Sequence, residues 1–309
     1  MPVALADIPQ LLVPGLAEIQ GANYNQYPAQ WTESYTVFQS DKAQEVVQEI
    51  RLLSIAQLKA EGTSLAFDNN LGQRSTTVYY NRSISIGYVM TRECLEDNLY
   101  QTYFPMANRS LKTSMDAAKE TIGAALFNNG YDTAYPLGDG QPLFSCSGFA
   151  GTGHPYDGGV INNTFNVATD LTEAAIEAAI NGIMIFRDAA GILCRIKPQK
   201  LMVNRGNQWI AERLLGSQYR VNTANNDISA IYSTNAIPMG YRVNQYLNTV
   251  SGGNVWFIQT DCPGLRHFVR TPMEIDQYTD FSTKSVQISA FERYSFGCDN
   301  FRTVFGSHS

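Results

Sequence analysis

Three histidines (His154, His267 and His308) and five cysteines (Cys94, Cys146, Cys194, Cys262 and Cys298) are the residues of this chain best able to do chemistry. A thiolate beside an imidazole makes a nucleophilic pair, and the two residue types together ligate soft metals. Cys262 or Cys146 with His267 or His154 would be the pairs to test, but no local signature supports them. There is no CxxC motif. His154 lies in the loop-like run Gly151-Thr152-Gly153-His154-Pro155, with no second His or Cys at metal spacing. His267 stands between Cys262-Pro263-Gly264-Leu265-Arg266 and Phe268-Val269, where a strand-end packing or hydrogen-bonding role is expected. His308 adjoins the carboxyl end and reads as solvated. Glu93, Glu96 and Asp97 suit the positive end of a helix better than a catalytic carboxylate pair. Gly138-Asp139-Gly140 reads as a turn, and neither GxSxG nor GxxxxGK[ST] occurs. The expectation is no enzyme, no cofactor and no metal.

Composition points the same way. Apolar residues make up 44% of the 309 residues and charged residues only 16%, well short of the quarter usual in soluble domains. Asn, Gln, Ser, Thr and Tyr take their place, which suits large contact areas where burying charge would be costly. The net charge of −6, without a Lys/Arg run, argues against binding nucleic acid over the whole surface. Scattered cysteines, odd in number, fit reduced, mostly buried thiols. Met1–Leu16 lacks a basic region and is broken by Pro9 and Pro14, so neither a secretion signal nor a membrane span is expected.

The elements that would position these residues form a mixed series. The first thirty or so residues, with Pro2, Pro9, Pro14, Gly15, Gly21 and Pro28, read as an extended arm. Val46, Val47, Ile50 and Leu53 predict a short helix over 41–53. Residues 54–88 read as a long hairpin: an outgoing arm Ile55–Phe67, a polar tip Asp68, Asn69, Asn70, Leu71, Gly72, Gln73 and Arg74, and a returning arm Ser75–Tyr88 rich in β-branched and aromatic residues. Such a ribbon is marginal alone in water and must pack on something, a neighbouring subunit being one candidate.

Thr91 should cap a short helix ending near Tyr103, and Pro105 should open a second in its first turn. That helix carries Ala107, Leu111, Met115, Ala118, Ile122 and Ala125 or Leu126 on one stripe, stops at Asn128-Asn129-Gly130 and is roughly 36 Å long. Asp170-Leu171-Thr172-Glu173 resembles a capping box before an amphipathic helix with Ile176, Ala179, Ile180, Ile183 and Phe186. Strands are expected at 200–203, at 241–247 and 255–259 (joined across Gly252-Gly253), and where Val286, Ile288 and Ala290 alternate. Asn204 should cap a helix closed by Gly216. There is no βαβ rhythm, so the class is α+β.

Taken in order, these segments resemble the major capsid proteins of tailed bacteriophages of the Hong Kong 97 type, in particular the Mu-like major head subunit. Three runs carry the resemblance: Leu65–Asp68 through Ser85-Ile86-Gly87-Tyr88-Val89-Met90-Thr91-Arg92-Glu93, then Cys94-Leu95-Glu96-Asp97-Asn98-Leu99-Tyr100, and finally Trp256-Phe257-Ile258, Leu265–Arg270 and Glu292–Gly297. The resemblance implies an N-terminal arm (1–31), a start of the peripheral domain (32–53), an extended loop (54–88), the peripheral domain with its spine helix (89–130), an axial domain (131–253) and closing peripheral strands (254–309). It also implies hexamers and pentamers closing an icosahedral shell in the virion. Such a shell is made in the host bacterial cytoplasm and encloses double-stranded DNA without sequence-specific binding. Portal, scaffolding or maturation protease and decoration proteins are the implied partners, with no membrane. Relatives joined by Lys–Asn isopeptide bonds draw attention to Lys59, for which nothing marks a partner. An encapsulin-like compartment shell and a cytosolic enzyme are the competing readings.

Overall fold

The structure is a computed structural model that describes residues 29–307 apart from 66, 70, 97–99, 221–226 and 248–254; within 95–104 no side chain is described. The expected arm, Met1–Leu16 and His308 thus fall outside the described residues, as do most of 1–31 and the Gly252-Gly253 connection.

Two four-stranded sheets organise the chain. The first has the order β1 (Thr36–Gln39), β10 (Leu265–Thr279), β11 (Val286–Cys298), β4 (Arg82–Met90). β1 runs parallel to β10, and the other pairs are antiparallel. Val286, Ile288 and Ala290 alternate toward helix α2 (Tyr100–Asn128), as their spacing predicts, and pack with Leu111, Met115 and Met90. The stripe on α2 is only partly as expected. Leu111 and Met115 are buried, but farther along the face turns to Ala124 and Phe127, leaving Ile122 exposed.

The expected division of the helix at Pro105 is not found. α1 is Arg92–Glu96, with Thr91 Oγ1 accepting from the Cys94 amide at 3.4 Å, and α2 begins at Tyr100, so Pro105 is inside it rather than in its first position. Pro105 deprives the backbone there of a donor. The 29-residue rod carries on past it, packed along β11 and β4.

The second sheet has the order β12 (Val304–Ser307), β9 (Trp256–Thr260), β7 (Pro198–Val203), β8 (Tyr241–Val243). The strands expected at 241–247 and 255–259 appear as β8 and β9, each beside β7, which lies between them. Both faces are buried. Leu201, Val203, Trp256, Ile258 and Phe305 face Ile176, Ala179 and Ile183 of α3 (Glu173–Met184). Met202, Phe257 and Val304 face Phe127, Leu143 and Phe144. Period-two alternation with both phases apolar is the mark of a strand covered on both sides. The cap of α3 is Thr172, which accepts from Ala175 N at 3.2 Å, and not Asp170; Glu173 instead pairs with Arg220 at 2.9 Å. Asn204 caps a 3-10 turn (Arg205–Asn207) that leads into α4 (Gln208–Gly216).

The hairpin is real but shifted. Its outgoing strand is β2 (Gln44–Arg51), within the segment expected to be helical, and it pairs antiparallel with β3 (Gly72–Tyr80). The described residues of 52–71, including the Ile55–Phe67 arm, hold no strand. The returning arm is two strands parted at Asn81, with β4 belonging to the first sheet. Among the described residues no helix is long and apolar enough to cross a membrane.

Candidate assembly surface

The β2–β3 ribbon sorts its side chains by face. Its inner face, Glu45, Val47, Glu49 and Arg51 opposite Tyr79, Thr77 and Ser75, turns toward the body. Its outer face, Gln44, Val46, Gln48 and Ile50 opposite Tyr80, Val78, Thr76 and Gln73, has no charged group. Val46, Ile50, Val78 and Tyr80 are all exposed there. Beyond the ribbon, Leu52, Leu53, Ile55, Leu58, Leu65, Phe67 and Leu71 are exposed too, Phe67 at 85%. Soluble monomers rarely expose so continuous an apolar run.

The base of the ribbon is fixed. Asn81 Nδ2 donates to Ser40 Oγ and the Lys42 carbonyl (both 2.9 Å), and its Oδ1 accepts from Ser295 Oγ at 3.0 Å. Tyr79, 3% exposed, lies edge-on to Phe268 with ring centroids 5.0 Å apart, and its hydroxyl donates to Asp299 Oδ1 at 2.9 Å. Asp299 also takes a two-pronged bond from Arg266, at 2.7 and 3.1 Å. Gly297 makes room for the ring, since a Cβ there would be 2.5 Å from Tyr79 Cε1. Burial is the main cause that pushes the Tyr79 hydroxyl's pKa well above its ordinary value.

The sequence-predicted tip residues are divided by this arrangement. Asp68 Oδ2 accepts from both the amide and the hydroxyl of Ser54, at 2.7 and 2.5 Å, drawing the two ends of the intervening segment together. Asn69 and Leu71 are exposed, and Asn70 is outside the described residues. Gly72, Gln73 and Arg74 belong to β3 and not to a turn. Gln73 Nε2 donates to Thr76 Oγ1 at 2.5 Å, while Arg74 reaches back to the Ala189 carbonyl at 2.7 Å. The turn with positive φ falls at Gly62 instead. Lys59 is exposed in the same segment. Sequence reading missed Glu49, Tyr79, Asp157, Asp299 and Arg302. No local pattern marks them, because each partner is distant in the chain.

The candidate chemical residues are not assembled into a site. His154, fully buried, donates from Nδ1 to Asp139 Oδ2 at 2.6 Å and stacks on Phe301 with centroids 3.8 Å apart. His267, also fully buried, bonds the Ser295 carbonyl at 3.2 Å and stacks on Phe296. Burial, helped by Lys119 nearby, lowers its pKa to about 4, so it is a neutral packing residue inside β10. Cys146 Sγ is turned to the Phe149 and Phe165 carbonyls, and Cys262 Sγ accepts from Asn300 Nδ2 at 3.2 Å. Burial pushes the Cys262 thiol up to about 11, the wrong direction for a nucleophile. Glu93 is exposed in the first turn of α1; the Glu96 side chain and Asp97 are outside the described residues. Among the described residues no His, Cys, Asp or Glu cluster is placed to hold a metal ion.

The α+β body with two four-stranded sheets thus carries a ribbon whose apolar outer face is exposed. The family described as "Phage capsid protein" matches residues 88–306, and the chain belongs to that family. A search of curated proteins by sequence finds no match. The fold is similar to that of the capsid of a native GTA particle, at a TM-score of 0.61 and 13% identity over 92% of this chain and 90% of that one. It is similar also to the capsid of the Myoviridae phage XM1 (0.54, 10%, 91% and 92%) and to a virus-like particle from Pyrococcus furiosus (0.53, 10%, 94% and 97%). At these identities the likeness is one of fold, and it extends over the whole α+β arrangement.

Proposed function

We propose that this chain is the major head protein of a tailed bacteriophage, of the Hong Kong 97 type and Mu-like. It forms hexamers and pentamers that close an icosahedral shell around double-stranded DNA, assembled in the host bacterial cytoplasm. Its work is structural: it holds other copies of itself. In this reading the first sheet with α2 is the peripheral domain, residues 131–253 are the axial domain, and the 44–80 ribbon with its connecting segment is the extended loop. Asp68, Asn69, Asn70, Leu71, Gly72, Gln73 and Arg74 were the expected interface. The geometry favours moving it outward, to the uncharged face of β2–β3 and the apolar residues of 52–71, with Arg74 bonded to the body instead.

The observation that carries the proposal is this charge sorting along one ribbon. A solvated ribbon would gain by placing charge outward, and strands β2 and β3 place theirs inward. A second copy of the chain, present at high local concentration in a growing shell, is the natural cover, since modest contacts add up when many are made at once. Portal, scaffold, protease and decoration proteins would act on the shell once subunits associate. Sedimentation and negative-stain microscopy of the purified chain test the proposal. Capsomers, shells or tubes are the expected result; a stable monomer at every concentration contradicts it.

A further inference from the structure

The ribbon is held to the body by two unlike kinds of contact. At its base, Tyr79 packs into an apolar niche and Asn81 is fully bonded. Four residues farther out, roughly 13 Å along the strand, nearly every contact is charged. Arg302 Nη1 donates to Glu49 Oε1 at 3.0 Å, and Glu49 Oε2 accepts from Ser75 Oγ at 3.0 Å. Arg51 pairs with Asp157. Arg74 donates to the Ala189 carbonyl at 2.7 Å and lies 3.9 Å from Asp157. The Asp157 amide in turn donates to that carbonyl at 3.2 Å.

We infer that this cluster is a reversible clasp, holding the ribbon in one pose and releasing it to pivot about Tyr79 and Asn81. Three features support a clasp over a permanent staple. First, the ribbon charges Glu49, Arg51 and Arg74 regain water when they leave, so opening buries nothing new. Second, the body's own cation keeps its partners: Arg302, the most buried of the set, also donates to the Arg187 carbonyl at 2.6 Å and to Asn300 Oδ1 at 3.2 Å. Third, Asp157 is 40% exposed, which leaves its two ion pairs open to screening by salt. An uncharged contact at this level is close to the backbone: that of Gly138 abuts Thr76 and Thr77, where a Cβ would fall 2.6 Å from Thr77 Oγ1 and 2.7 Å from the Thr76 carbonyl.

The test uses the full, unassembled chain, so its outcome does not depend on shell formation. Spin labels are introduced through non-natural amino acids at the exposed positions Leu58 and Tyr135. The distance distribution between them should be single and narrow at about 0.1 M salt and should at least about double in width at about 1 M, as the screening length falls from about 10 Å to about 3 Å. The triple variant Glu49→Gln, Arg51→Gln, Arg74→Gln should be broad already at low salt, with an unchanged circular dichroism spectrum. Lys42→Gln, which removes an exposed pair with Glu45 outside the cluster, should stay narrow. If the triple variant fails to fold, the salt response of the unmodified chain decides alone. A distribution that is equally narrow at both salts overturns the clasp, as does a folded triple variant with the narrow low-salt distribution.

Discussion

The sheet β12-β9-β7-β8 and the β2–β3 ribbon are built from similar material and end in opposite situations. Both alternate apolar residues along extended strands. In the sheet each phase has a cover made by the same chain: α3 lies over Trp256 and Ile258, while Phe127 and Phe144 lie over Phe257 and Met202. In the ribbon one phase is charged and bonded to the body, and the other, with Val46, Ile50, Val78 and Tyr80, meets solvent. The difference locates where the chain is complete by itself and where it is not. Under the proposed function, stability of the single copy is concentrated in the sheet, and capacity for association in the ribbon.

The widest gap should come from matched truncations. Phe257→Ala should cost about 3–5 kcal/mol in denaturant unfolding of the unassembled chain, because its buried ring stacks on Phe144 at 4.9 Å and packs against Phe127. Leu58→Ala, at a fully exposed position, should stay within about 0.5 kcal/mol. Equal losses would erase the distinction. An intermediate effect is expected where ribbon and body touch. Gly138→Ala drives a methyl against the Thr76 backbone and should cost about 1–3 kcal/mol, through displacement of the ribbon or of the loop.

A further effect concerns pH. The His267 pKa is about 4 in the folded chain against 6.5 ordinarily, so the unfolded chain binds a proton that the folded chain refuses between those values. Stability should therefore fall as pH drops from about 6.5 toward about 4, level off below, and show no such dependence above. His267→Asn should flatten that limb in pH-dependent melting, whereas a chain lacking residues 53–71, which contain no histidine, should keep it.

Much of this could be read from the residues, and the failures share a cause. The amphipathic α3, the strand around Lys200–Val203 and the alternation of Val286, Ile288 and Ala290 follow from local period and come out in place. The 41–53 segment does not. Val46, Val47, Ile50 and Leu53 fit helical spacing, yet Glu45, Glu49 and Arg51 form one face of a strand whose partners, Arg302 and Asp157, are far along the chain. Pairing with β3 overrides the local pattern. The outgoing arm was placed too late for the same reason: Ile55, Leu58, Leu65 and Phe67 have no strand period and no facing strand. That a hairpin exists was legible; which of its faces is uncharged and exposed was visible only once the charges had found their partners.

The central claim is that the ribbon and its connecting segment serve association and not the fold of the single copy. Replacing residues 53–71 with a two-residue Asn-Gly turn, while keeping Leu52, Gly72 and the Glu49, Arg51 and Arg74 contacts, tests it directly. Melting of the unassembled variant and its assembly by sedimentation are then compared with the unmodified chain. An unchanged melting temperature and a loss of shells or larger assemblies are expected. Normal, heat-resistant assemblies formed by the shortened chain would contradict the claim, as would a shortened chain that cannot fold alone.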